Sequence, residues 1–386
     1  MKSIDELSPA ELKGKRVLLR TGIDLPLDEQ GNVSDTFRLK RSLSTIEFLS
    51  KCGARTIIAS KLGHVPKEKE SIAPIAEALK KHFPVFFVPD LTGTLVHEAV
   101  AAMKDGEIIM IENLQRDPRE IAGDELFARE FASFADIYVN DAFPSAHRKS
   151  ASMVGIPKFL PSYAGLLMRE EVEQLTEART PKSPSFAILG GAKFETKAPL
   201  IKLLLEKYDR VFVTGALAND VFKARRLEVG RSLISKELPG DDVLSHPHFV
   251  APIDVTVEGE DGQARVKKPE EVEAGDKIVD IGPDTVAAIA PTIASAKFIL
   301  WSGPTGMYEN GYISYTEQIA RLIAETHARG ATVVIGGGDT IAAIEAAGVP
   351  QEELGFLSTG GGAMLEYLLK GTLPGIEVLK QGSLGQ

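Results

Sequence analysis

Short apolar runs alternate along this chain with longer segments whose apolar positions recur at helical spacing. Residues 17–19 and 332–335 are aliphatic or β-branched throughout, which is typical of parallel strands buried on both faces. Phe37–Lys51 carries an apolar stripe that includes Leu39 and Ile46, which predicts an amphipathic helix. Strands separated by helices predict an α/β protein whose parallel sheets bind ligands at the carboxyl ends of the strands.

In the first half of the chain, polar residues follow the predicted strands at their carboxyl ends. Arg20, Lys61, Gln115 and Arg148 all lie just beyond such ends. Because parallel strands end at one edge of a sheet, we expect these side chains to converge.

In the second half, residues 336–338 are three glycines between a strand and a helical run. Such glycines let the backbone approach a ligand, and the following helix offers free N–H groups to a phosphate. A second glycine turn, at 360–362, follows the next short strand. The two turns suggest one anion cradle, although each is also typical of a simple tight turn. Asp339 is either a helix N-cap or a partner of a phosphate-bound Mg²⁺.

Lys193 and Lys197 follow two glycines at another predicted strand end. Lysines at this spacing share one helix face. The pair is either a phosphate clamp or ordinary solvated surface.

Length and composition narrow the classes of protein that fit. A chain of 386 residues favours two domains. A net charge of −10 argues against general binding to nucleic acid or membrane surfaces. The single cysteine, Cys52, excludes an internal disulfide and a cysteine-based zinc site, and fits a reducing compartment. Acidic residues near the N-terminus and the lack of a bilayer-length apolar run lead us to expect a cytoplasmic protein.

The motifs of two large nucleotide-binding classes are missing. The sequence contains neither GxxxxGK[ST] nor GxGxxG, which disfavours a P-loop kinase and a standard dinucleotide fold. The charged segment Leu166–Arg179 and the proline-containing break at 181–184 indicate a connection between two domains.

The order and spacing of six motifs resemble the phosphoglycerate kinase family over essentially the whole chain. The motifs are residues 139–143 with 146–148, 188–193, 280–283, Trp301 with 303–304, 336–340 and 358–362. The resemblance implies two doubly wound, Rossmann-like parallel-sheet lobes joined by a helix. It places an acceptor lobe at 1–165, the connection at 166–184, a nucleotide lobe at 185–370, and at 371–386 a tail that docks on the first lobe.

The family's reaction moves a phosphoryl group between Mg-ATP and the carboxylate of 3-phosphoglycerate. By similarity, Lys193, Lys197 and Arg38 would be catalytic, Asp339 would serve Mg²⁺ and Glu309 the ribose. The nucleotide set implied by the resemblance is Lys197, Gly215, Ser302, Glu309, Gly336, Gly337, Gly338, Asp339 and Thr340. The implied substrate set is Arg20, Gly22, Asp24, Arg38, Lys61, His64, Gln115 and Arg148. A monomer with ATP or ADP as co-substrate, and with no nucleic acid or membrane partner, is expected.

Departures from the family pattern concentrate in the acceptor set. Gly22 and Asp24 stand where the family has Asp and Asn, Lys61 and His64 replace His and Arg, and Gln115 replaces Arg. Lost arginines remove bidentate contacts, and Asp24 adds a negative charge where an anionic substrate should bind.

Three hypotheses follow from these departures. The protein is a divergent phosphoglycerate kinase in which Lys61, His64 and Arg116 supply the missing contacts, or a kinase of the same fold for another small acid. The third hypothesis is a nucleotide-binding protein that has lost catalysis, which the retention of Arg38, Lys193, Lys197 and Asp339 disfavours.

Overall fold

The computed structural model describes residues 1–25, 33, 37–63 and 70–381. The chain divides into two compact units. Unit 1 is Met1–Glu173 together with the chain from Thr372 onward, and unit 2 is Gln174–Gly371. Among the described residues, no helix combines the length and apolar character needed to cross a bilayer.

Unit 1 is an α/β layer structure. Its strands are β1 (Arg16–Thr21), β2 (Arg55–Ala59), β3 (Val85–Val88), β4 (Ile108–Ile111), β5 (Ile137–Asp141) and β6 (Ser162–Ala164). Its helices are α1 (Pro9–Leu12), α2 (Phe37–Lys51), α3 (Ala73–Leu79), α4 (Thr94–Ala102), α5 (Pro118–Ala122) and α6 (Glu125–Ser133), followed by α7 (Leu166–Arg179), which continues into unit 2. The strands pair in parallel in the order β3-β4-β2-β1-β5-β6.

The hydrophobic pattern explains how α2 lies on this sheet. Leu39, Ile46 and Leu49 are almost fully buried and belong to the same cluster as Val17 and Leu19 of β1. Burial of each such side chain stabilises the fold by about 1.5–3 kcal/mol. This packing sets the position of the first turn of α2, which carries Arg38.

Side chains of unit 1 also fix the start of α7. Asp141, at the end of β5, accepts the N–H of Met168 at 3.0 Å, and Thr45 accepts the N–H of Leu166 at 3.0 Å. These acceptors satisfy N–H groups that have no partner within the helix. Burial raises the pKa of Asp141 to about 6.

Unit 2 repeats the α/β design. Its strands are β7 (Ser185–Leu189), β8 (Arg210–Val213), β9 (Phe249–Val250), β10 (Val255–Glu258), β11 (Ala264–Lys267), β12 (Lys277–Ile281), β13 (Phe298–Ser302), β14 (Thr332–Gly336) and β15 (Phe356–Ser358). Its helices are α8 (Phe194–Lys207), α9 (Ala216–Ala224), α10 (Asp241–Leu244), α11 (Pro283–Ser295), α12 (Ser314–Ala328), α13 (Gly338–Ala346) and α14 (Gly362–Lys370). The main sheet is parallel, in the order β15-β14-β13-β7-β8-β9. The predicted fold class is therefore confirmed.

A small antiparallel sheet, β11-β10-β12, stands apart from the main sheet of unit 2. Strand β11 lies within the polar stretch 259–272, for which the hydrophobic pattern predicts no strand. Most of β11 is exposed, so its residues lack the apolar alternation by which strands are recognised.

The last described helix, α15 (Pro374–Gln381), returns to unit 1. The N–H of Gly375 donates to the carbonyl of Ala146 at 2.9 Å. A Cβ on Gly375 would stand only 2.6 Å from the sulfur of Met153, so the backbone of α15 packs closely there.

Candidate functional site

Glycine turns lie side by side at the carboxyl edge of the main sheet in unit 2. Strands β14 and β15 pair in parallel, and each leads through glycines into a helix, α13 or α14. Gly337 has a φ of 98°, a conformation that side chains rarely adopt. The first N–H groups of both helices lack intrahelical acceptors. This edge is suited to bind anions.

Lys197 is anchored beside these turns by the neighbouring glycine turn after β7. Its ammonium donates to the carbonyl of Gly190 at 2.6 Å, and a Cβ on Gly191 would stand 2.6 Å from the same nitrogen. Burial lowers the pKa of Lys197, and the Asp339 carboxylate opposes that shift. One cation is therefore held among the turns with part of its hydrogen-bonding capacity still available.

Lys193 precedes α8 in an unusual backbone conformation. Its φ is 65° and its ψ is 72°, in the left-handed region, and its side chain is exposed. A residue other than glycine in this region costs of order 1–3 kcal/mol, and such strain clusters at functional sites.

Thr340 and Ser302 have mainly structural contacts. The buried Thr340 hydroxyl donates to the carbonyl of Gly336 at 2.9 Å and accepts the N–H of Gly303 at 2.6 Å. The carbonyl of Ser302 accepts the N–H of Gly190 at 2.8 Å. The place of Thr340 in the nucleotide set stays a prediction, and its hydroxyl serves two backbone groups in this structure.

A cavity of about 500 Å³ opens beside the glycine turns of unit 2. It brings together three predicted nucleotide residues, Gly215, Glu309 and Asp339. The cavity wall does not include the other residues predicted to be catalytic or nucleotide-binding in this unit, which are Lys193, Lys197, Ser302, Gly336, Gly337, Gly338 and Thr340. Its size is that of a small-molecule site.

The wall of this cavity includes residues to which no role was assigned from the sequence. Strand β12 supplies Ile278, Val279 and Asp280, and α9 supplies Asn219. The motif at 280–283 supports the family resemblance, but nothing in its pattern shows that β12, the strand in which it begins, lines a cavity.

Asp280 is the most perturbed carboxyl of this wall. It is 5% exposed, and burial raises its pKa to about 7, opposed by hydrogen bonds from the Ile281 N–H and the Thr305 side chain. The Asp280 carboxyl therefore holds its proton more tightly in the folded protein than in the unfolded chain. The contribution of this tighter proton binding to the free energy of unfolding is fully present below about pH 4 and is lost as the pH rises towards 7.

We expect Asp280→Asn to remove this pH dependence. Relative to the parent, the variant should gain free energy of unfolding between pH 5 and pH 8, by up to about 4 kcal/mol. Urea unfolding at pH 5, 6, 7 and 8 measures the difference. Asp284→Asn, at an exposed ion pair with Lys268, is the matched control. Parallel pH profiles for the parent and Asp280→Asn would contradict the prediction.

The acceptor half of the predicted site lies in unit 1, where Arg20 proves to be enclosed. Arg20 is 1% exposed, and its guanidinium donates from Nε to the Ser152 hydroxyl at 3.1 Å and from Nη1 to the Thr21 carbonyl. Ser152 in turn donates from its hydroxyl to Glu120 at 2.6 Å. This network holds Arg20 inside the fold, and a direct contact between Arg20 and a substrate stays a prediction.

Asp24 and Lys61 form an ion pair in the same half. The Lys61 ammonium also donates to the Gly63 carbonyl at 3.0 Å, while the Gly63 N–H donates to Asp24 Oδ1 at 3.1 Å. Arg38 Nη1 donates to the Asp24 carbonyl at 3.0 Å. The negative charge predicted at Asp24 is thus paired with Lys61 in this structure.

The other departures from the family pattern lie in different surroundings. Gln115 is 2% exposed, and its Oε1 has no hydrogen-bond partner among the described residues. Arg116 binds the buried Glu112 carboxylate at 2.7 Å, and its role in replacing an arginine at 115 stays a prediction. A Cβ on Gly22 would stand 3.0 Å from the Pro144 ring. Arg148 follows the β5 end closely, whereas His64 lies outside the described residues.

The described residues contain no cluster of three or more His, Cys, Asp or Glu side chains arranged to hold a metal ion. Asp339 is thus a single carboxylate next to a glycine turn that is suited to bind an anion. Mg²⁺ commonly binds one or two carboxylates together with substrate phosphates and water. The residues present fit a cation that arrives with a phosphate ligand.

Fold and site together define a two-unit α/β protein of the phosphate-binding class. The family model for phosphoglycerate kinase matches residues 5–371. A phosphoglycerate kinase of Microcystis aeruginosa is 38% identical over 98% of this chain and 99% of its own length, and one of Chloroflexus aggregans is 36% identical over 95% and 96%. The solved phosphoglycerate kinase of Coxiella burnetii has a TM-score of 0.84 at 32% identity, covering 100% of this chain and 99% of its own.

The chain belongs to the phosphoglycerate kinase family. The resemblance found in the sequence is confirmed, and with it the kinase function and the family fold.

Proposed function

We propose that this protein transfers the γ-phosphoryl group of ATP reversibly to the carboxylate of 3-phosphoglycerate. The bond between the β-γ bridging oxygen and the γ-phosphorus breaks, a carboxylate oxygen bonds to that phosphorus, and ADP and an acyl phosphate are the products. The observation that carries the proposal is the set of adjoining glycine turns with the anchored Lys197. Such a reaction depends on positioning and on neutralising charge more than on covalent help from the protein.

In unit 2, the cavity wall that includes Gly215 and Glu309 would take the nucleoside. The glycine turns and Lys197 would hold its phosphates, and the exposed Lys193 would reach the group in transfer. Asp339 would hold a phosphate-bound Mg²⁺, which supplies positive charge to the phosphate oxygens. The nucleoside is assigned to the cavity wall because enclosed walls suit small molecules, and the phosphates to the turns because backbone N–H groups there suit anions.

In unit 1, Arg38, Lys61 and Arg148 are the cations proposed to bind the acid. Arg38 would also stabilise the negative charge of the transition state, since a guanidinium offers several donors in a fixed plane. The Asp24–Lys61 pair favours a second candidate, a kinase of this family for a less highly charged acid.

A coupled assay with ATP, Mg²⁺ and 3-phosphoglycerate tests the proposal. ADP formation that requires and saturates with 3-phosphoglycerate is the expected result. Omitting the acid gives the background rate. Calorimetric binding of Mg-ATP without ADP formation at millimolar 3-phosphoglycerate would favour the second candidate.

A further inference from the structure

Asp24 engages three groups of the acceptor half at once. Its carboxylate binds the Lys61 ammonium and the Gly63 N–H, and its carbonyl accepts from Arg38. Two of the three proposed acid-binding cations, Lys61 and Arg38, are thus attached to one residue of the protein. No other carboxylate is recorded on Lys61 within the described part of the chain.

The contacts of the Asp24 carboxylate are those that a ligand anion would use. Its two oxygens bind one ammonium and one backbone N–H, which is how proteins bind carboxylates and phosphates. The pair is well shielded from water, with the Lys61 and Asp24 side chains 9% and 18% exposed. A buried ammonium needs a nearby counter-charge, and Asp24 supplies it when no ligand is bound.

We propose that Asp24 is an internal competitor for the anionic group of the acceptor, and that it shifts the preference of this site towards acids of lower charge. An incoming anion must either displace the Asp24 carboxylate from Lys61 and Gly63 or bind beside it. In the first case it loses affinity to the competition, and in the second it meets a like charge. Both effects grow with the charge of the acid, so a phosphorylated acid is penalised more than a simple carboxylate.

The identity of the acceptor rests on the proposed function, whereas competition for Lys61 does not. Asp24→Asn keeps the shape of the side chain and removes its charge. We expect this variant to bind inorganic phosphate about tenfold more tightly in calorimetry, the change that corresponds to one charge-assisted contact released for the ligand. The KM for 3-phosphoglycerate should fall by a similar factor.

The control variant is Asp105→Asn, which makes the same change of net charge in unit 1. Asp105 pairs with Arg55 at the start of β2, away from the strand ends that carry Asp24 and Lys61. Its phosphate affinity should match that of the parent. Adding Lys61→Met to Asp24→Asn should abolish the gain, because the ammonium is the group for which the two anions compete.

Asp24→Asn leaves a buried ammonium without its partner and so lowers stability. Thermal unfolding of the parent and of Asp24→Asn, each with and without phosphate, separates this loss of stability from a change in phosphate binding. The ligand should raise the Tm of Asp24→Asn by more than that of the parent, because it supplies the missing counter-charge. Equal shifts together with unchanged phosphate affinity would overturn the inference and make the pair purely structural. Tighter phosphate binding without any 3-phosphoglycerate-dependent ADP formation would support the inference and count against the proposed acceptor.

Discussion

Replacing Arg38 by alanine should lower kcat by about 100- to 1000-fold, the usual loss when a preorganised donor to the transition state is removed. Arg38 lies in the first turn of α2 and is fixed there by the packed face of that helix and by its contact with the Asp24 carbonyl. The affinity of the Arg38→Ala variant for Mg-ATP should stay within about twofold of the parent's, because the residues proposed to bind the nucleotide belong to unit 2. Steady-state kinetics and calorimetry with Mg-ATP measure the two effects separately.

Two further variants make this test specific. Arg38→Lys keeps the charge but loses the planar fork, so its kcat should fall between those of the parent and the alanine variant. Lys40→Ala removes an exposed cation two residues further along the same helix and should change kcat little. If Arg38→Ala and Lys40→Ala gave equally small losses, Arg38 would be no more than surface charge.

The hydrophobic pattern predicts the main sheets well because their strands are buried on both faces. Strands β1 and β14 each contain a continuous apolar run, at residues 17–19 and 333–335, and the glycines that follow β14 indicate a turn whatever the tertiary context. Strand β11 could not be recognised in this way, since it is exposed and pairs in a separate antiparallel sheet. Strand β12 is largely buried, but it also belongs to that separate sheet, and its pattern does not show that it lines a cavity.

Site residues could be located by their place after a strand, but their partners could not. Arg20 and Thr340 both follow the predicted pattern, yet the first is enclosed by Ser152 and the second serves backbone groups. Asp24 and Lys61 are 37 residues apart in the chain. Their pairing depends on how the two loops fold beside each other, which the sequence pattern does not show.

Lys197→Ala should weaken the binding of Mg-ATP by about 10- to 100-fold. The ammonium is held at the glycine turn after β7 by the Gly190 carbonyl, so it meets a phosphate with little loss of side-chain freedom. A hydrogen bond to a charged group contributes about 1.5–3 kcal/mol, which corresponds to this range of dissociation constants. Partial burial, which lowers the pKa of Lys197, further favours an anionic ligand that restores the counter-charge.

The comparison for this variant is Lys202→Ala on the same helix. Lys202 is exposed and pairs with Asp242, so its loss should leave the dissociation constant for Mg-ATP unchanged. Calorimetry at two salt concentrations adds a second criterion, because the deficit of Lys197→Ala relative to the parent should shrink as salt screens the phosphate contact. If Lys197→Ala and Lys202→Ala bound Mg-ATP equally well, the anchored lysine would have no part in holding the nucleotide, and the phosphate contacts would have to come from the backbone N–H groups of the glycine turns alone.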